Sequence, residues 1–266
     1  MMKVVVDIVA RLGLFAILFL LMQVIAAWLM PLLSFGDADL GRILAYTLSM
    51  LLMIVILRLC NRESLLSAEP IMHSRRGFNP LLILYGVVVM IALSIVLAPL
   101  GSYLPEDSRA FSDSLWTLVL VVIVAPILEE ILFRGRLYGL LKTKASPLVS
   151  VLLSSLMFGL MHLQPAVMFE GVLMGLLFSY AYLRSRSIFA PIMLHMCNNA
   201  LAYALTVLSY GERPLLELVD SRQYYLAIYI ASATLVVISF ALMIRFIVRY
   251  NRRGARTAKN ETTAQS

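Results

Sequence analysis

Read from its amino terminus, the 266-residue chain is a succession of long apolar runs separated by short polar breaks. A helix rises about 1.5 Å per residue, so crossing a hydrocarbon core of about 30 Å takes roughly 20 apolar residues. Runs of that order occupy about residues 4 to 33, 43 to 59, 81 to 100, 115 to 133, 148 to 163, 166 to 183, 188 to 209 and 224 to 248. In lipid only a segment that satisfies its own backbone hydrogen bonds is stable. The pattern therefore predicts an all-α polytopic bundle of about eight membrane-spanning helices. The fifth and sixth runs are short and only Gln164 and Pro165 divide them. A turn below the membrane surface is expected there, buried in protein or lining a wet cavity.

Composition narrows the class. Hydrophobic residues make up 61% of the chain and charged residues 14%, which excludes an ordinary soluble domain. A single integral membrane domain is expected over residues 1–250, with a polar, unstructured tail over 251–266. Lys and Arg are retained on the cytoplasmic side. Only Arg42, Arg109, Arg213 and Arg222 fall in or beside the loops after the first, third and seventh runs, so both termini are expected in the cytoplasm of a multi-pass cell-membrane protein. The +7 charge reads as attraction to membrane lipids rather than nucleic acid, because no soluble domain presents it. The first apolar stretch, Leu12 to Leu33, is too long for a cleaved signal and is expected to be retained. Cys60 and Cys197 form neither a disulfide framework nor a metal spacing.

Against this background the polar residues inside the runs stand out, since ionisable groups at membrane depth mark functional sites by default. Glu129 and Glu130 are adjacent within the fourth run, and Arg134 follows. Neighbouring helical residues point about 100° apart, so the two acids face different surroundings. Glu130 and Arg134 are spaced i, i+4 in the favourable order and form the expected supporting pair. In the alternative, both acids neutralise Arg134 and Arg136 at a helix end. Pro126 loosens the backbone one turn earlier. His162 in the fifth run shares a helix face with Phe158, which is read as packing. His195 and Asn199 in the seventh are spaced i, i+4, as two donors to one oxyanion or two groups joining helices would be. Glu170 and Asn198 are read as supporting polar groups. Glu129, His162 and His195 are also a possible zinc ligand set of two His and one carboxylate, although the usual zinc-protease helix motif is absent. The fourth helix either stops at Gly135 or continues to about Leu141, which changes the depth of Glu129.

Glu129-Glu130 with Arg134, Phe158 with His162, and His195 with Asn199 occur in order as EExxxR, FxxxH and HxxxN. In these motifs, over about residues 115–205, the chain resembles the CPBP family of intramembrane proteases, also called the ABI family, which includes type II CAAX prenyl endopeptidases and bacterial relatives linked to bacteriocin processing or self-immunity. The resemblance implies an endopeptidase without a favoured cofactor, in which Glu129 activates water, His162 assists, and His195 with Asn199 stabilises the oxyanion. Glu130, Arg134 and Phe158 are then supporting residues. It further implies a peptide or membrane-protein substrate, prenylated or a bacteriocin-like leader. The competing readings are a non-catalytic adaptor or immunity factor and a proton-coupled transporter; the duplicated broken helices expected of many transporters are not evident.

Overall fold

The computed structural model describes residues 2–60, 79–101, 112–163, 165–207, 219 and 221–264; Arg109, Gln164 and Arg213 lie outside them. The described residues form eight continuous helices and no strand. They are α1 (Met2–Leu29), α2 (Ala38–Cys60), α3 (Pro80–Gly101), α4 (Leu115–Lys142), α5 (Pro147–Leu160), α6 (Pro165–Ser185), α7 (Phe189–Val207) and α8 (Arg222–Ala264). The chain is a multi-pass membrane protein. Six of the helices are long and apolar enough to cross a bilayer. Two of the eight predicted spans, α5 and α7, fall outside the six. α7 carries His195, Asn198 and Asn199 and is not among the six. α5 has 14 residues, about 21 Å of rise against a core of about 30 Å. On its own α5 is too short to cross that core.

α4 occupies the middle, packed by α2, α5 and α7, while α6 closes on α5 and α7 from behind. Ser114 caps α4, its hydroxyl accepting from the Thr117 amide, and Arg11 of α1 donates to the Leu140 carbonyl in its last turn. α4 runs on to Lys142, which settles the helix-end alternatives in favour of the longer helix. Its backbone is not uniform: Leu120–Val124 and Ile131–Leu137 are π-helical and flank an α turn, Ala125–Glu130. Such widened segments recur at functional sites. The last helix continues to Ala264 where composition predicts an unstructured tail. Arg, Ala and Lys favour helix, and the helix satisfies its backbone locally.

α5 and α6 approach each other closely along a seam of small residues. Ser155 and Gly159 on α5 face Gly171 and Gly175 on α6, each pair at i, i+4. A Cβ on Gly175 would stand 3.0 Å from the Ser155 Cα, and one on Gly171 would stand 3.0 Å from the Gly159 Cα. Lipid supplies no hydrophobic force between helices, so this close backbone approach, with its dispersion contacts, is what holds the pair. The Ser155 and Ser179 hydroxyls add a buried hydrogen bond of 3.3 Å. Gly175→Val is expected to cost about 1–3 kcal/mol, the usual range for overpacking, read as a lower melting temperature of the purified protein in detergent. A parent-like melt would mean that the seam is loose.

Candidate active site

The α turn of α4 presents Glu129 and Glu130 to opposite surroundings. Glu130 is sealed, with 0% of its side chain exposed, and Arg134 is 1% exposed. Arg134 Nη1 donates to Glu130 Oε1 at 2.9 Å, and Nη2 donates to the Gly175 carbonyl of α6 at 2.9 Å. The guanidinium also lies 4.6 Å from the Phe158 ring centroid and 5.4 Å from that of Phe178. Aromatic faces attract a cation most strongly where water is excluded. Phe158 is thus a support for Arg134 as well as packing. Glu130 Oε2 and Arg134 Nε have no hydrogen-bond partner among the described residues, so ring faces and the Coulomb attraction carry more of the burden here than in a fully bonded pair. Arg136 forms no ion pair with either acid among the described residues.

His195 joins this pair from α7. Its Nδ1 stands 3.0 Å from Glu130 Oε1, and its ring stacks on Phe178 at 4.9 Å and 24°. A carboxylate bound by Arg134 is an acceptor, so Nδ1 carries the proton in this contact. Nε2 is left on the side of Glu129, 3.8 Å from its Oε2. Glu129 keeps 17% of its side chain exposed, and its Oε1 accepts a hydrogen bond of 2.7 Å from the Tyr46 hydroxyl of α2.

α5 ends at Leu160, so His162 lies in the following turn rather than on the same helix face as Phe158. Its Nδ1 is 2.8 Å from the Phe158 carbonyl. A carbonyl only accepts, so Nδ1 donates, and in the neutral ring Nε2 bears the lone pair. A cavity of about 380 Å3 lies beside it, lined among others by Gln23, Tyr46, Glu129, Phe133, Phe158 and His162. Asn199 is placed differently from an oxyanion donor facing that space: its Nδ2 donates to the Val121 carbonyl at 2.9 Å. The Asn198 amide donates to Asn199 Oδ1 at 3.4 Å, and Glu170 is half-buried on α6.

The structure therefore brings Glu129, Glu130, Arg134, Phe158 and His195 into direct contact, with His162 on the same cavity. Sequence reasoning missed Tyr46, Gln23 and Phe178. A tyrosine in an apolar run has no spacing signal that separates a catalytic neighbour from a packing residue. As for metal, no three His, Cys, Asp or Glu side chains among the described residues form a group that could hold an ion. Glu129, His162 and His195 are thus not gathered as ligands.

Residues 111–201 match the family model described as Rce1-like, type II CAAX prenyl endopeptidase Rce1-like. The matched segment takes in α4 to α7 up to Leu201 and with them all three motifs, which agrees with the CPBP resemblance read from those motifs. No curated protein and no solved structure matches the chain.

Removing one partner of a buried ion pair leaves an uncompensated charge and costs about 3–5 kcal/mol. Arg134→Ala is accordingly expected to lower the melting temperature in detergent sharply, along with any activity, because Glu130, which also holds His195, would lose its counter-charge. An unaltered melt would show that Glu130 is neutralised in some other way.

Proposed function

We propose that this chain is an intramembrane endopeptidase of the CAAX-protease type that hydrolyses a peptide bond with a water activated by Glu129. The observation that carries this reading is the convergence on one cavity of a half-open carboxylate and an imidazole, with a second imidazole nitrogen 3.8 Å from the carboxylate. The segment that supplies them is the one matched by an Rce1-like protease family.

The roles follow from what each atom is already bound to. Tyr46 holds Glu129 Oε1, so Oε2 is the oxygen left to take a proton from water. The hydroxide attacks the peptide carbonyl carbon, whose oxygen becomes an oxyanion, and the proton passes through Glu129 to the departing amine. His162, with Nδ1 on a backbone carbonyl, offers the Nε2 lone pair to position the water. Oxyanion stabilisation falls to His195. Its Nε2 donates when the ring carries both protons, and that second proton also brings the formal charge of Glu129, Glu130, Arg134 and His195 to zero. Preorganised donors of this kind are usually the largest single contribution to acyl transfer. The substrate is a peptide or membrane-protein segment drawn from the bilayer, where apolar walls such as Phe133 and Phe158 receive its side chains. The distribution of Lys and Arg supports a cell-membrane location with both termini cytoplasmic.

The direct test is cleavage of membrane-protein or prenylated peptide substrates by the full chain reconstituted in lipid. Glu129→Gln is expected to abolish turnover without lowering the melting temperature, and metal chelators are expected to leave wild-type turnover intact. Retained turnover in the variant would remove Glu129 from the chemistry. Chelator inactivation reversed by zinc would replace the mechanism with a metal-assisted one. The absence of any cleavage would favour an adaptor or immunity factor.

Tyr46 supplies a second prediction. A hydrogen bond to a charged group is worth about 1.5 kcal/mol or more, roughly tenfold in rate. Tyr46→Phe is expected to lower kcat by that factor with KM unchanged, in steady-state assays of the same preparation. A change confined to KM would make Tyr46 a substrate contact instead.

A further inference from the structure

The carbonyl to which Asn199 donates has a specific reason to need a donor. In the π segment Leu120–Val124 amides reach five residues back, and the Ala125 N–H donates to the Leu120 carbonyl. In that register the next amide belongs to residue 126 and would serve Val121. Residue 126 is proline, which has no N–H. A backbone carbonyl left unpaired inside an apolar bundle costs free energy comparable to a lost hydrogen bond. Asn199 Nδ2 stands 2.9 Å from that very oxygen.

We propose that Asn199 is a positioning residue that replaces the missing amide of Pro126 and so fixes the point where the π segment gives way to the α turn bearing Glu129 and Glu130. Two further contacts support this. His195 and Asn199 lie i, i+4 on α7, so one helix face grips α4 twice, through the imidazole at Glu130 and through the amide at Val121. The Asn198 amide, 3.4 Å from Asn199 Oδ1, holds the side chain with its nitrogen toward the α4 backbone. Spacing alone makes His195 and Asn199 a pair of donors to one substrate oxygen. Their contacts make them a strap that sets the register of α4 against α7, and hence the place of Glu129 Oε2 before His195 Nε2. The catalytic half of this inference rests on the proteolytic reading; the structural half does not.

A rescue experiment separates the two roles of Asn199. Pro126→Ala restores an amide that can reach Val121, so it is expected to compensate for a missing Asn199 only if Asn199 serves that carbonyl. Wild type, Asn199→Ala, Pro126→Ala and the double variant are prepared as full chains in lipid, with Glu129→Gln as the inactive reference. Melting temperature and kcat are measured for each. Asn199→Ala is expected to melt about 2–4 °C lower, the shift of losing one hydrogen bond in a chain of this size. Its turnover is expected to fall by about 10²-fold, the scale of displacing a catalytic group by an ångström. In the double variant most of both losses is recovered. Loss of turnover with an unchanged melt and no recovery would overturn the proposal and place the Asn199 amide on the reacting oxygen. Recovery of the melt without recovery of turnover would overturn the positioning role as well. If Asn199→Ala does not accumulate, Asn199→Asp, which keeps the volume and loses the donor, takes its place in the cycle. A chain that cleaves nothing would end the proteolytic reading, while the melting cycle alone would still decide whether Asn199 serves Val121.

Discussion

An ionised pair sealed inside an apolar bundle is the constraint around which the remaining structure is arranged. Taking a carboxylate and a guanidinium out of water costs several kcal/mol each, and attraction between them offsets this only with good geometry and further partners. Glu130 and Arg134 obtain those partners from three other helices. Two phenylalanine rings flank the guanidinium from α5 and α6, the Gly175 carbonyl accepts from it, and His195 takes up the carboxylate from α7. The small-residue seam matters to this pair directly. Because Gly175 lacks a side chain, α6 comes close enough to α5 to offer both its carbonyl and Phe178 to one cation. The ion pair is therefore a joint between helices more than a source of net stability.

From that joint follows the division of labour between two adjacent acids. The turn of about 100° between neighbouring helical positions sends Glu130 into the sealed joint and leaves Glu129 partly open to the cavity. Neither acid could exchange places with the other. Glu130 has its charge matched by Arg134 and its Oε1 engaged by both Arg134 and His195, whereas Glu129 is held by the Tyr46 hydroxyl and lines the cavity. The π segments on either side adjust where that turn presents its side chains.

How much of this was legible in the sequence varies with the range of the interaction. The helices follow from apolar run length, and the Glu130–Arg134 pair from i, i+4 spacing within one helix. The bond between Glu130 and His195 spans 65 residues and depends on how α7 packs on α4, which no local pattern encodes. Tyr46 is illegible for the same reason: on α2 it looks like any aromatic residue of an apolar run. His162 reads as helical because Met161 and Leu163 continue the apolar pattern, yet the chain turns after Leu160. The widened backbone of α4 leaves one trace, Pro126, whose missing amide shows that some carbonyl needs another donor. It does not reveal which side chain supplies it.

The shortness of α5 has a consequence for supply. An endopeptidase of the proposed kind consumes one water at each turnover, and the interior of a bilayer holds almost none. A helix of 14 residues rises about 21 Å, short of a core of about 30 Å, and the turn that follows it carries His162, which lines one cavity with Glu129. On the proposed proteolytic reading, that shortfall is where solvent would reach the site by less than a full membrane crossing. A thicker bilayer would lengthen such a path and a thinner one would shorten it, so the supply of water to the proposed chemistry would depend on the surrounding lipid.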